Sequence, residues 1–135
     1  METVRRRLRV LEALTLVALA RLLRRRVPMR RWSFLLGATG PALAGTSGEL
    51  PPVGVEARVA RAVGSAARRT GANCLEQAVA ASLMLRVRRR PGAVVIGLDR
   101  TDPAGVPHAW LVGGSGAVLT GGETMGDFRA VSQFG

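Results

Sequence analysis

The spacing of apolar residues changes at Pro91-Gly92, and this change decides the fold class. Before it, residues 55–68 and 74–88 carry apolar side chains three and four positions apart, which predicts two helices. The arginines within 86–90 suit the negative end of the second helix, which Pro91-Gly92 terminates. After it, residues 93–98 form a continuous apolar run rich in β-branched side chains, typical of a buried strand.

A hairpin is predicted to follow that strand. Residues 108–112 and 117–120 are strand-like and flank the turn sequence Gly113-Gly114-Ser115-Gly116. Helices followed by a small antiparallel sheet predict an α+β fold. Residues 121–135 are too irregular to assign. We expect them to close the core as a short tail through Phe128, Val131 and Phe134.

The N-terminal segment predicts a further helix, over residues 8–23, that ends at Val27-Pro28. Its longest uncharged run, 13–20, is much shorter than the roughly 20 residues that span a bilayer. Arginines stand at 21 and 24–26, where a secretory signal would have small cleavage-site residues, so such a signal is disfavoured. We expect an amphipathic helix that packs on the domain or lies on a partner or membrane surface.

The length of 135 residues predicts one domain, 1–135. It comprises an N-terminal helical and loop region, 1–52, and a catalytic core, 53–135; glycines and prolines make 37–52 a predicted loop. A single cysteine cannot form an internal disulfide, which favours a reducing, cytoplasmic location. With one cysteine and one histidine, neither a metal site nor a cofactor is predicted.

The formal net charge of +11 comes from 20 basic residues, all arginine and concentrated in the helical half. Such a surface predicts an anionic partner, such as nucleic acid, lipid or an acidic peptide, or is simply a solvated helix face. A noncatalytic RNA- or lipid-binding module is therefore one alternative function. Aromatic residues make up only 4% and include no tyrosine, so few platforms exist for base stacking and nucleic acid is not expected.

The only cysteine, Cys74, stands where a helix is predicted to begin. Asn73 is a favourable N-cap residue, and Glu76 three positions later completes the pattern of a capping box. The unpaired amides and the positive helix end favour a thiolate at Cys74, the form that attacks carbonyl carbons. The alternative is a buried, inert cysteine.

The only histidine, His108, is the candidate general base. It opens the first hairpin strand, with Trp110 on its own face and Ala109 and Leu111 on the other. If the helix of Cys74 packs on the His108 face, thiol and imidazole approach within hydrogen-bond reach, as a Cys–His pair requires. The alternative is a structural histidine beside a tryptophan.

These segments together resemble a known family, the transglutaminase-like cysteine peptidases of lasso peptide biosynthesis, which remove the leader before the macrolactam cyclase acts. The resemblance implies a papain-like, transglutaminase-like core. It implies that Cys74 is the nucleophile and that His108 is the general base and then the general acid. It also implies the backbone N–H of Cys74 as an oxyanion donor. The matching residues are Asn73-Cys74-Leu75-Glu76-Gln77-Ala78, Leu83-Met84-Leu85-Arg86, Val95-Ile96-Gly97-Leu98, His108-Ala109-Trp110-Leu111 and Gly116-Ala117-Val118-Leu119.

The partners that the resemblance implies are a leader–core precursor peptide, a separate leader-binding protein of the RiPP recognition element type, and the lasso cyclase. The residues of the N-terminal helix add a predicted peripheral membrane contact. Acyl transfer to an amine instead of water is a further alternative within the transglutaminase-like class.

The third catalytic residue departs from the family pattern, which has an aspartate on the strand after His-Ala-Trp. A hairpin centred on Gly114-Ser115 places His108 opposite Gly121, and neither Gly121 nor Thr120 carries a carboxylate. Glu123 is the nearest acid and our candidate for this role, with Asp127 a more distant substitute. The helix terminus favours the thiolate even without an ideal acid.

Overall fold

The computed structural model describes residues 1–32, 39–40, 50–102, 104–122 and 128–134. Helices precede an antiparallel sheet, so the predicted α+β fold is confirmed. The helices are α1 (Glu2–Arg26), α2 (Met29–Trp32), α3 (Gly54–Thr70) and α4 (Cys74–Val87), and the strands are β1 (Thr39–Gly40), β2 (Gly92–Asp99), β3 (His108–Gly113), β4 (Val118–Thr120) and β5 (Phe128–Phe134).

The helix boundaries follow the predicted signals. α1 is longer than the predicted 8–23 but ends as expected before Pro28, where Val27 has an extended conformation (φ −129°, ψ 133°). α3 ends at Gly71, whose φ of 66° is a left-handed conformation that glycine adopts without strain. Among the helices of the described residues, none combines the length and the apolar content that crossing a bilayer would require.

The sheet has the strand order β1-β5-β2-β3-β4, with every neighbouring pair antiparallel. The predicted β3–β4 hairpin is confirmed. The expected irregular tail is wrong in one respect, because its last part is the seven-residue strand β5, hydrogen-bonded along β2. A bulge in that pairing skips Val131, since Ser132 pairs with Ile96 but Ala130 with Gly97. Val131 is consequently exposed and does not close the core as expected.

Two apolar clusters lie on the two faces of the sheet. The larger one joins α1, α3 and α4 to the sheet face of Ala109 and Leu111. The smaller one, on the opposite face, contains Trp110, Val95 and Phe128. The predicted alternation along β3 is thus confirmed, but α4 packs on the Ala109 face and not, as the Cys–His hypothesis supposed, on the face of the histidine.

Candidate active site at the start of helix α4

The start of α4 has the predicted capping box. The Asn73 side-chain Oδ1 accepts from the Glu76 backbone N–H at 2.8 Å, and Glu76 Oε1 accepts from the Asn73 N–H at 3.0 Å. Cys74 is therefore the first helical residue, and its own N–H has no acceptor within the helix. Cys74 is half-buried. The local sequence pattern was sufficient to predict this geometry.

The capping carboxylate is also buried and paired with α1. Glu76 Oε2 accepts from Arg21 Nε at 3.0 Å and lies 3.6 Å from Arg24 Nη2, while Arg21 also donates to the carbonyl oxygen of Thr70. Burial by itself would raise the pKa of Glu76. The hydrogen bonds from Arg21 and from the Asn73 N–H, with the two guanidinium charges, outweigh it and lower that pKa. The helix start is therefore fixed from α1 as well as by its own cap.

The other end of α4 is fixed by the same helix. Arg88 donates to both carboxylate oxygens of Glu12, at 2.8 and 2.7 Å, and to the carbonyl oxygen of Met84 at 2.9 Å. The Glu12 carboxylate raises the pKa of the Arg88 guanidinium. The sequence suggested only that the arginines of 86–90 suit the helix end. The structure adds that one of them joins α4 to α1 by a bidentate ion pair.

The sulfur of Cys74 lies against the beginning of β3. Cys74 Sγ accepts from the backbone N–H of Ala109 at 3.4 Å, and that nitrogen is bonded to the carbonyl carbon of His108. α4 thus packs beneath the Ala109 face, while its first residue reaches the backbone of β3 beside the histidine. An amide donor aimed at the sulfur stabilises negative charge there.

The imidazole of His108 is held by a backbone carbonyl. His108 Nε2 lies 2.9 Å from the carbonyl oxygen of Gly121. A carbonyl oxygen can only accept, so Nε2 carries the proton in this hydrogen bond and Nδ1 has the lone pair of the neutral ring. A base with a defined tautomer is what general-base chemistry requires.

Aromatic rings and small residues set the position of that imidazole. The ring centroid of His108 lies 4.8 Å from that of Phe128 and 5.8 Å from that of Trp110. A methyl group at Gly97, which pairs with His108 across the sheet, would lie 2.7 Å from the Trp110 ring. At Gly121 (φ +72°) a methyl group would lie 2.7 Å from the Ala109 carbonyl oxygen and 3.1 Å from His108 Nε2. Both glycines are therefore required by close contacts.

The predicted hairpin register is wrong at this end. A hairpin centred on Gly114-Ser115 would place Leu111 opposite Val118, but Leu111 pairs with Thr120. The pairing shifts between Leu111 and Val112, so the assignment of Gly121 as the direct cross-strand partner of His108 fails. Gly121 nevertheless meets the imidazole, through its carbonyl oxygen. The candidate acids Glu123 and Asp127 lie outside the described residues.

A cleft of about 470 Å³ is lined by neighbours of both candidate residues, and neither Cys74 nor His108 is among its lining residues. Gln77 lies one turn after Cys74, and Gly121 is the residue that contacts His108. The hydroxyl of Thr120 on the cleft wall is buried without a hydrogen-bond partner. The wall is formed by Ala60 and Gly64 of α3, Gln77 of α4 and residues 118–122.

The described residues contain no candidate metal site. Among them, no three His, Cys, Asp or Glu side chains gather in a group that could hold a metal ion. The chemistry supported by this arrangement is that of a sulfur nucleophile at a helix start, next to a histidine-bearing strand, on an α+β scaffold.

That combination defines a class of proteins that carry out acyl chemistry through a cysteine. A sequence model of the transglutaminase-like superfamily matches residues 13–133, and the chain belongs to that superfamily. Such domains are typically cysteine peptidases or acyltransferases. No curated protein matches the chain, and no solved structure does. The family assignment therefore gives the general chemistry and leaves the substrate to be proposed.

Proposed function

We propose that this protein is a cysteine endopeptidase that removes the leader from a ribosomally synthesised lasso peptide precursor, acting with a separate leader-binding protein. The observation that carries the proposal is the 3.4 Å contact between Cys74 Sγ and the Ala109 N–H, beside His108. The substrate class comes from the resemblance of the Asn73-Cys74-Leu75 and His108-Ala109-Trp110 segments to lasso leader peptidases. The superfamily match supports the type of chemistry.

In the proposed reaction, His108 takes the thiol proton and the Cys74 sulfur attacks the carbonyl carbon that joins leader and core. The oxyanion that forms accepts a hydrogen bond from the Cys74 N–H. Collapse breaks the C–N bond, the imidazolium gives its proton to the departing amine, and a thioester remains. Water, deprotonated by His108, then hydrolyses the thioester and releases the leader as a carboxylic acid.

The hydrogen bond to Gly121 supports His108 as the base in this scheme. With Nε2 bonded to the carbonyl, the ring is oriented and its tautomer defined without a carboxylate. A carbonyl dipole stabilises the imidazolium less than a full negative charge does, so Glu123 stays the candidate for a further acid. Glu123→Gln is expected to lower the rate clearly if that residue acts on the base.

The proposal is tested by mixing full-length protein with a precursor peptide and its leader-binding protein, and following leader release by mass spectrometry. Cys74→Ala and His108→Ala are each expected to abolish release while leaving the circular dichroism spectrum unchanged. Arg100→Ala, at an exposed position on the loop after β2, is the matched control and should cleave at the wild-type rate. Cleavage retained by Cys74→Ala would exclude the proposed nucleophile.

Acyl transfer is distinguished by the same measurement. Hydrolysis leaves the leader fragment with a free carboxylate, whereas transfer to an added primary amine leaves an amide of different mass. A product found only as the amide would assign the chain to the acyltransferases of its superfamily. Genes for a precursor, a leader-binding protein and an asparagine-synthetase-like cyclase beside the gene of this chain would support the peptidase independently.

A further inference from the structure

Helix α1 has a second apolar face that its own fold leaves uncovered. The face follows alternating four- and three-residue spacings, which is the 3.5-residue period of helix–helix seams. The apolar side chains large enough to pack there are 56–59% exposed. This seam consists of Val4, Leu8, Leu11, Thr15, Ala18 and Leu22.

The fold uses the opposite side of α1. Ala13, Val17 and Ala20 are completely or almost completely buried against α3 and α4. At 100° per residue these positions lie on the far side of the helix from Leu8 and Leu11. Packing within the chain therefore explains the apolar face of Ala13, Val17 and Ala20 but not that of the seam. An apolar stripe left uncovered in this way indicates a binding surface.

The shape of the seam fits a protein helix better than a lipid surface. Its apolar side chains form a narrow stripe, bordered by the 40%-exposed Leu19, whereas helices that lie in a membrane interface have a broad apolar face of tryptophan, phenylalanine and leucine. Residues 2–26 contain neither aromatic residue. At the middle of the seam stand the small Ala18 and Thr15, whose hydroxyl already donates to the Leu11 carbonyl oxygen at 2.9 Å. A facing helix could approach closely there.

The charges around the seam indicate the charge that a partner's surface should carry. Arg5 and Arg7 flank its start and Arg25 and Arg26 flank its end, all of them exposed. Both acidic residues of α1 are already paired within the chain, Glu2 with Arg9 and Glu12 with Arg88, so the unpaired charge beside the seam is positive. The complementary surface is acidic.

The same charges disfavour a second copy of this chain as the occupant. A parallel pair would set Arg5 and Arg7 against themselves, and an antiparallel pair would set them against Arg25 and Arg26. Both orientations place like charges across the seam, which is destabilising.

We propose that this seam docks an acidic amphipathic α-helix presented by a partner protein. The inference rests on α1 alone and holds whether or not the chain cleaves a lasso precursor. The partner helix would place apolar side chains between Val4 and Leu22, and its carboxylates would face the arginines at the two ends.

The test uses the full-length protein and two synthetic helical peptides of about 25 residues with leucine at the first and fourth positions of each heptad. One has glutamate at the flanking positions and the other has lysine. Fluorescence anisotropy of the labelled peptides should show saturable binding of the glutamate peptide only. Leu8→Gln/Leu11→Gln should weaken it by at least about tenfold, because two buried leucine contacts are lost. Arg5→Glu/Arg7→Glu should weaken it to a degree that decreases as salt is added.

Matched variants distinguish binding at the seam from nonspecific apolar or charge-driven binding elsewhere on the protein. Val87→Gln/Val106→Gln removes two exposed apolar side chains outside α1, and Arg90→Glu/Arg100→Glu reverses two exposed arginines elsewhere. The first control should bind as wild type does, and the second should bind more tightly than Arg5→Glu/Arg7→Glu. Melting curves of all variants should superimpose, since none of the substituted side chains is buried.

Four results would overturn the proposal. The first is binding of the glutamate peptide that does not saturate, and the second is Leu8→Gln/Leu11→Gln that binds this peptide as well as wild type does. The free protein could prove dimeric by light scattering and become monomeric in that variant, which would make a second copy the occupant. Sedimentation with phosphatidylglycerol vesicles, lost in Leu8→Gln/Leu11→Gln while the peptide fails to bind, would identify a lipid surface instead.

Discussion

The imidazole Nε2 of His108 and the carbonyl oxygen of Gly121 lie 2.9 Å apart. This hydrogen bond orients the ring from the backbone and keeps the lone pair on Nδ1. In an arrangement where a carboxylate would be the usual partner, a carbonyl supplies the direction of the ring without adding a negative charge. The consequences can be measured because His108 is the only histidine in the chain.

We expect the neutral ring of His108 to be the Nε2–H tautomer. Protein labelled with ¹⁵N-histidine gives one pair of ring nitrogen signals, and their shifts in the neutral ring identify which nitrogen carries the proton. An Nδ1–H tautomer would contradict the hydrogen bond to Gly121. The spectrum of His108→Gln, which loses both signals, is the assignment control.

Gly121→Ala should disturb this hydrogen bond directly. Its methyl group would lie 2.7 Å from the Ala109 carbonyl oxygen and 3.1 Å from His108 Nε2, at a φ of +72°. The left-handed conformation alone costs about 1–2 kcal/mol for alanine. Gly54→Ala is the matched control, because Gly54 has a φ of +59° and nothing within 4 Å of the added methyl.

Both alanine variants should therefore lose stability in thermal unfolding, but only Gly121→Ala should lose leader release and shift the histidine ring signals. Equal activity of the two variants would show that the contact with the imidazole does not matter for the reaction.

Sequence-based prediction was most successful where the determining contacts are local. The capping box joins residues three positions apart, so Asn73 and Glu76 were enough to place Cys74 at the helix start. The β3–β4 hairpin was equally predictable from its glycine-rich turn. The role of Gly121 was not, because any residue offers a backbone carbonyl and its direction depends on a register shift that the sequence does not reveal.

The remaining differences come from contacts distant in sequence. β5 is a strand because it pairs with β2, and its bulge at Val131 interrupts the alternation by which strands are recognised. Arg21 reaches Glu76 across 55 positions of sequence. One signal for that pair was available: Glu76 is the only acid in the apolar helix α4, and a buried carboxylate requires a partner.

Glu76→Gln should destabilise the fold by about 1–3 kcal/mol, because the buried, charge-assisted hydrogen bond between Arg21 and the Glu76 carboxylate is lost. The pKa of Glu76 is lowered in the folded protein, so its contribution is complete above the ordinary glutamate pKa and is lost as the pH falls through the lowered value. Melting temperatures of wild type and variant should therefore converge at acidic pH.

Glu2→Gln provides the control for that experiment. Glu2 also has a lowered pKa, through Arg9, but its own side chain is 76% exposed, so its carboxylate stays solvated. We expect its melting temperature to match wild type in physiological salt. A loss as large as that of Glu76→Gln would mean that burial does not distinguish the two pairs.

Thr120→Val should keep or raise stability, although Thr120 is buried. Its Oγ1 has no hydrogen-bond partner, so the valine removes an unsatisfied polar atom at nearly constant volume. Thr70→Val is the matched control. The Thr70 hydroxyl donates to the Ala66 carbonyl oxygen at 2.8 Å, and losing that hydrogen bond should cost about 1 kcal/mol of stability. Thermal unfolding should therefore show a loss of stability for Thr70→Val and none for Thr120→Val.

The same substitution tests whether the cleft holds the substrate. Thr120 lines the cleft next to Gly121, and its Oγ1 is buried without a partner, so a rotation about χ1 that turns the hydroxyl toward the cleft would let it bond to a polar group of a bound peptide. Thr120→Val is then expected to raise the KM for the precursor severalfold with little change in kcat, because the lost hydrogen bond acts on bound substrate and not on the reacting atoms. An unchanged KM in a fully folded variant would place the peptide elsewhere.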